Sequence, residues 1–249
     1  MKSVLVAIFA CFAVPVAAQS SLGISGAQVS LGVVEDESGH SRTEFGALVD
    51  VAITGVHGFQ GDLRFDDTQA GGVGTLAAHL YMTPREGQKY GLFAQLSDVD
   101  GRSMTYGAIG AEGMFELGND TVLEGRAGIG AANDNGLDFV FGSIGLAHAY
   151  SSALEISATL DLAEFDEPSL RAISYGAGLR ATYSPEGAPW GLYASVTHSG
   201  LEGRDASAGE TRFGFGLSLS LGNSGGTNPG TRPFRSADPV APLLRRNLW

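Results

Sequence analysis

The chain has 249 residues, with 27 Asp or Glu against 15 Lys or Arg and a formal net charge of −12 at pH 7. Lysine occurs only at Lys2 and Lys89, so no basic face exists for nucleic acid. Glycine is abundant, at 37 residues, without the triplet period of collagen, and no apolar run reaches the roughly 18–20 residues of a membrane helix.

The first predicted element is an export signal. Lys2 supplies the positive start, Val4 to Val14 is unbroken apolar sequence, and Val16-Ala17-Ala18 provides small residues for cleavage after Ala18. Residues 1–18 are therefore expected to be removed. The only cysteine, Cys11, lies inside that run and leaves with it; Phe9 is too bulky for a lipid-attachment site. The mature chain then has neither disulfides nor thiolate chemistry.

Twelve strands are predicted next, at roughly 24–34, 44–54, 58–66, 73–84, 88–98, 103–115, 120–130, 137–149, 153–163, 171–183, 189–199 and 209–222. The last has the clearest alternation. Phe213, Phe215, Leu217, Leu219 and Leu221 fall on one parity; Arg212, Gly214, Gly216, Ser218, Ser220 and Gly222 fall on the other. A period of two gives one greasy and one wet face. The second strand sets Phe45, Ala47, Val49, Val51 and Ile53 on one side. The ninth opposes Leu154, Ile156, Leu160 and Leu162 to Glu155, Ser157, Thr159 and Asp161. The tenth opposes Ile173, Tyr175, Leu179 and Tyr183 to Ser174, Gly176, Gly178 and Arg180. The sixth and eighth strands are apolar on both parities, so Glu112 and His148 receive no face.

Strands of soluble sandwiches usually run about five or six residues, whereas about 9–11 are needed to cross a bilayer at a tilt. In lipid every backbone N–H and C=O must be paired, which without helices requires closure. The predicted fold is an all-β, transmembrane, antiparallel up-and-down barrel of about 12 strands over residues 19–222, an even count as in bacterial barrels. A charge on the lipid face costs about 2–4 kcal/mol near the midplane. Asp62, Arg64, Glu124, Arg126, Glu155, Asp161, Arg180 and Arg212 are therefore predicted to face the lumen. Tyr90, Tyr183 and Trp190 suit an aromatic girdle at the headgroups.

The connections sort by charge. Odd ones carry Glu35, Asp36 and Glu37; Asp66 and Asp67; Asp98 and Asp100; Asp134; Asp166 and Glu167 with nearby Glu164; and Glu202 with Asp205. Even ones, around Gly55, Pro84–Gly87, Gly118-Asn119, Tyr150–Ser152 and Pro185–Gly187, read as tight turns. Alternate connections lie on opposite rims, with short turns on the periplasmic side. The outer rim is thus expected to be acidic and longer. Its carboxylates keep loops in water, raise local cation concentration at a pore mouth, or bind divalent cations that bridge to lipopolysaccharide. Salt weakens such effects, since the Debye length is about 8 Å at physiological strength. Residues 223–249, with Pro229, Pro233, Pro239 and Pro242 and with Arg232, Arg235, Arg245 and Arg246 against Asp238, lack alternation. They read as a flexible periplasmic tail of opposite charge to the barrel.

Arg212-Phe213-Gly214-Phe215-Gly216-Leu217-Ser218-Leu219 resembles the assembly signal on the last strand of Gram-negative outer-membrane barrels: polar Arg212, then Gly214, then hydrophobic Leu217 and Leu219. The resemblance implies insertion by the barrel-assembly machinery, although bacterial barrels commonly end at this strand and here the chain continues to Trp249. The overall pattern is similar to small twelve-stranded porins. That resemblance implies passive passage of small solutes, and the acidic mouth adds an expected preference for cations. No cofactor, metal site or defined oligomer is expected. A closed structural or interaction barrel, with the tail's arginines touching periplasmic partners or anionic lipid, is the alternative. A soluble secreted β-protein is a third.

Enzymatic readings find less support. Outer-membrane lipid hydrolases resemble one another in a His-x-Ser spacing, and none of His40, His57, His79, His148 or His198 shows it. Adjacent His-Ser pairs point to opposite strand faces, which leaves only a dyad assembled between strands, for instance His79 with Asp62. Asp98-Val99-Asp100-Gly101 starts like a calcium loop but lacks the later ligands. Gly128-Ile129-Gly130 has no helix after it to cradle a phosphate.

Overall fold

The computed structural model describes residues 23–246 apart from 69–70, 102–103, 119, 134–135, 169, 223–224 and 237. The predicted signal peptide 1–18, Asn119, Asp134 and Trp249 lie outside the described residues. The strands are β1 (Ile24–Asp36), β2 (Ser41–Ala52), β3 (His57–Thr68), β4 (Gly71–Arg85), β5 (Gln88–Val99), β6 (Met104–Gly118), β7 (Thr121–Ala132), β8 (Asp138–Ala149), β9 (Leu154–Asp166), β10 (Arg171–Tyr183), β11 (Trp190–Gly203) and β12 (Ser207–Gly222). Each end lies within four residues of its predicted position. Every strand pairs antiparallel with the next, and β12 closes on β1 from Gly26↔Gly222 to Asp36↔Arg212. The beginning of β1 and the end of β12 share one rim, termed terminal; the acidic connections share the opposite, distal rim. Pro84 lies where the β4–β5 register shifts, between Met82 and Arg85, a place where its missing N–H breaks no ladder bond.

The outward face is a greasy belt. Leu76 is 61% exposed and Leu92 is 65% exposed, with Leu96, Ile109, Leu160 and Phe215 also exposed. So continuous an apolar surface requires hydrocarbon around it. Tyr90, Tyr183 and Trp190 are exposed near the terminal ends of β5, β10 and β11. Leu160→Arg, on the outward face at the middle of β9, is expected to destabilise the lipid-embedded protein by about 2–4 kcal/mol. Thr159→Arg, pointing inward one residue away, should cost far less. Urea unfolding from lipid vesicles reads both; equal losses would remove the lipid belt from this face.

Glu112 on β6 points inward and is buried, whereas His148 on β8 points outward, against the Thr121 hydroxyl at 2.9 Å. These two strands were ambiguous for a physical reason. Tyr106 and Met114 of β6 and Phe139 and Phe141 of β8 are buried inside, while Ile109, Phe115, Val140 and Ile144 face out. Both faces are apolar because the inner one meets protein.

The distal rim is acidic but not longer, contrary to expectation. Only residues 69–70 separate β3 from β4, whereas residues 184–189 separate β10 from β11 at the terminal rim. The strands themselves extend into the acidic segments, so Asp36 and Asp166 end strands and Asp66 lies within β3.

The expected flexible tail is the main correction. From β12 the chain turns at Gly225 (φ 120°) and Gly226 (φ 78°), a left-handed region that suits glycine. It then enters the lumen and climbs its inner wall. Arg232 meets β9, Phe234 meets β3 and β4, Asp238 meets β6, and the one-turn helix α1 (Ala241–Arg245) lies at the distal end against β10 and β11. Val240, Leu243 and Leu244 are fully buried in one cluster with Val99, Met104, Tyr106, Phe139, Phe165 and Leu201. An extended, proline-rich strap held by side chains of the wall needs no periodicity of its own. Its lack of alternation therefore says nothing about freedom.

Candidate functional site: the partly filled lumen

The strap and the wall behind it form a buried ionic layer. Gln60 clamps Phe234 by its backbone, accepting from the N–H at 2.8 Å and donating to the carbonyl at 2.9 Å. The Phe234 ring stacks on His79 at 5.7 Å and meets Tyr81 edge-on at 6.0 Å. The Lys89 ammonium lies 3.9 Å from the Tyr81 ring centre and 4.8 Å from that of Phe234. It also donates to the Arg232 carbonyl at 3.0 Å and lies 3.7 Å from Asp50, to which the Tyr81 hydroxyl donates. These contacts place a cation among aromatic faces. The lone lysine of the barrel is thus an anchor for the strap.

Below Phe234 the charges interlock. His79 contacts Asp62 through Nε2 at 3.2 Å and Glu112 through Nδ1 at 2.6 Å. Arg126 Nη2 lies 2.9 Å from Glu124 and 3.4 Å from Glu112. The Ser236 hydroxyl donates to Asp62 at 3.0 Å. Arg235 reaches Glu124 at 3.6 Å and Asp161 at 3.5 Å, and Arg232 pairs with Glu155 at 2.9 Å. Strap arginines thus answer wall carboxylates gathered on β7 and β9, the strands flanking β8.

The remaining wall, from β9 through β12 to β1 and β2, stands apart from the strap except where Arg232 and Arg235 reach β9 and where α1 and Arg246 meet β10, β11 and β12 at the distal end. Between them lies a cavity of about 760 Å³. Its lining runs from the terminal turns at Ser151–Ala153 and Pro189 to Val34, Arg212 and Arg245 near the distal end. The wall is mostly small or hydroxyl-bearing: Ser30, Gly46, Ser157, Gly178, Ser195, Gly214 and Ser220. Tyr193 lies flat on it because residues 32 and 216 are glycines; a Cβ at either would fall 2.2 Å from the phenol. On that ring stacks Arg180, its guanidinium carbon 3.6 Å from the centroid. Arg212 donates to the Thr197 hydroxyl at 3.3 Å. Among the described residues, Arg180, Arg212 and Arg245 have no carboxylate within salt-bridge distance.

The sequence-predicted lumen residues thus divide. Asp62, Glu124, Glu155 and Asp161 contact the strap directly, and Arg126 braces Glu124 from behind. Arg180 and Arg212 line the free cavity. Arg64 also lines it but is paired with Asp66 at 2.6 Å and Glu44 at 3.9 Å. Sequence reading missed Gln60, Lys89, Phe234, Ser236 and Tyr193 as functional positions. Parity would have placed Gln60 beside Asp62; no local signal marks a partner from the far end of the chain.

Four of the rim carboxylates, Asp36, Asp66, Asp166 and Asp205, are ion-paired. Asp36 lies 3.6 Å from Arg42 and 3.4 Å from His40, and accepts from the backbone of Ser38 and His40. Asp166 pairs with Arg171. The Arg171 backbone N–H donates to the Asp205 carboxylate at 2.8 Å, and Arg204 also donates to it; together these hold its pKa below the usual value. The His79–Asp62 pair offers no hydrolytic dyad. Both ring nitrogens face carboxylates and Phe234 covers the ring.

No family model and no curated protein matches the chain. Solved structures do match it in fold. The NanC porin superposes with a TM-score of 0.61 over 78% of this chain and 100% of its own, at 8% identity. The KdgM porin gives 0.55 over 78% and 99%, at 12% identity. An outer membrane channel from Pseudomonas putida F1 gives 0.56 over 84% and 97%, at 11% identity. The chain is a closed twelve-stranded antiparallel barrel of the architecture found in these outer-membrane porins and channels.

Proposed function

We propose that the protein is an outer-membrane channel through which small solutes pass between the strap and the wall formed by β9–β12, β1 and β2, with anions favoured. The terminal rim then faces the periplasm and the acidic rim faces outward. The carrying observation is the 760 Å³ cavity, where Arg180, Arg212 and Arg245 have no ion pair among the described residues. The lining acids Glu155, Asp161 and Glu44 lie beside Arg232, Arg235 and Arg64, and Asp62 accepts from Ser236. Fixed cations beside a confined path stabilise anions there, as charged rings do in selective pores. The acidic connections argued for cations. Pairing of Asp36, Asp66, Asp166 and Asp205 with neighbouring arginines weakens that argument, because a paired carboxylate contributes little distant field.

Planar-bilayer recording under a KCl gradient is the test. The expected result is discrete channel events with a reversal potential on the chloride side. Arg180→Gln combined with Arg212→Gln should move that potential toward zero. Silence from correctly folded protein rejects passage, and a potassium-side potential rejects the anion preference. The second reading, a sealed structural barrel, is favoured by the apolar packing of Val240, Leu243 and Leu244 at the distal end, and silence would select it. Assembly by the barrel-assembly machinery through Arg212, Gly214, Leu217 and Leu219, and divalent bridging of the outer acids to lipopolysaccharide, belong to the same outer-membrane reading.

A further inference from the structure

We infer that residues 225–246 set the charge selectivity of the lumen, by covering or pairing the carboxylates of its acidic wall and leaving the arginines of the opposite wall as the dominant charge toward passing ions. This rests on the reading that ions traverse the barrel, and assigns to one segment the choice of which ions do.

The two halves of the inner wall differ in charge. Behind the strap stand Asp50, Asp62, Glu112, Glu124, Glu155 and Asp161, with Lys89, Arg126 and the His79 ring among them. Across the cavity stand Arg180 and Arg212. The strap brings Arg232, Arg235, Arg245 and Arg246 against its single acid, Asp238. Arg232 and Arg235 neutralise Glu155, Glu124 and Asp161, while Arg245 adds a further cation to the cavity lining.

With the strap seated, Glu112 and Glu124 are buried, and Glu155, Asp161 and Glu44, which line the cavity, each lie beside an arginine. Among the described lining residues Arg180, Arg212 and Arg245 then outweigh Asp238, which has no ion pair. With the strap absent, the same carboxylates face an open, wider lumen, and water-filled acidic walls concentrate cations. Filling and charge inversion thus follow from one segment. Its seat is specific: a two-point backbone clamp at Gln60, an aromatic and cationic box around Phe234, and an apolar distal end.

The experiment compares the full chain, a chain ending at Gly222, and full-length Arg232→Gln/Arg235→Gln, each checked for folding by heat-modifiable gel migration and circular dichroism. Reversal potential and conductance are read in planar bilayers under a KCl gradient. Truncation should raise conductance by about twofold or more and carry the reversal potential from the chloride side to the potassium side. The double substitution should shift it in the same direction, and decides the matter alone if the truncated chain does not fold. A full chain that conducts, with variants unchanged in conductance and potential, overturns the inference while leaving passage intact. A silent full chain beside a conducting, potassium-favouring truncation supports the strap's role and overturns passage past it. Silence from all folded forms overturns both.

Discussion

Arg126→Met is expected to lower stability by about 3–5 kcal/mol, the cost of stranding buried charge when one partner is removed. The Arg126 guanidinium lies between Glu112 and Glu124, all three almost wholly buried beneath the strap. Methionine fills similar space but deprives Glu112 and Glu124 of their shared guanidinium, leaving His79 against Glu112 and Arg235 against Glu124. Adding Glu112→Gln and Glu124→Gln should recover most of the loss, because a neutral layer carries no stranded charge. Urea unfolding from lipid vesicles measures each protein. A single-variant loss below about 1 kcal/mol, the scale of an exposed pair, would mean that water reaches this layer.

Phe234→Ala is expected to release the strap while leaving the barrel closed. Truncating a buried phenylalanine costs about 3–5 kcal/mol, and Phe234 also holds stacked and cationic neighbours that alanine cannot engage. The strap has few other large apolar anchors before its distal end, so the loss falls on its docking. The barrel is held independently, by continuous strand pairing around the ring. Trypsin should therefore cut after Arg235 in the variant and spare it in the native protein. Heat-modifiable migration of the barrel should persist. A strap that stays protected in the variant would place its anchoring elsewhere, at the Gln60 clamp or the distal apolar end.

How far the fold was legible follows from the lipid constraint. A strand between hydrocarbon and a wet interior must alternate, and β2, β9, β10 and β12 do so plainly in sequence. Closure followed from backbone pairing in lipid, with no knowledge of which residues touch. The blurred strands were informative in retrospect. Phe139, Phe141 and Met114 break the wet-inside rule because part of the inside is dry, packed against the strap or the residues around it. Lengths of the connections were misjudged because acidic residues read as loop, yet Asp66 and Asp166 belong to hydrogen-bonded strands.

The sequence by itself determined an amphipathic twelve-stranded barrel, the inward direction of its charges, and the opposite charge of the final segment. These are local properties, written by period-two patterning and composition. Only the tertiary structure decided that Arg232, Phe234 and Arg235 return into the lumen, which carboxylates they cover, and which arginines remain open to solutes. Those outcomes depend on pairings between residues far apart in the chain, from Arg235 with Asp161, 74 residues away, to Phe234 with Gln60, 174 residues away. No local pattern encodes such a contact; it exists only once the ring has closed and presents its acidic wall as a surface.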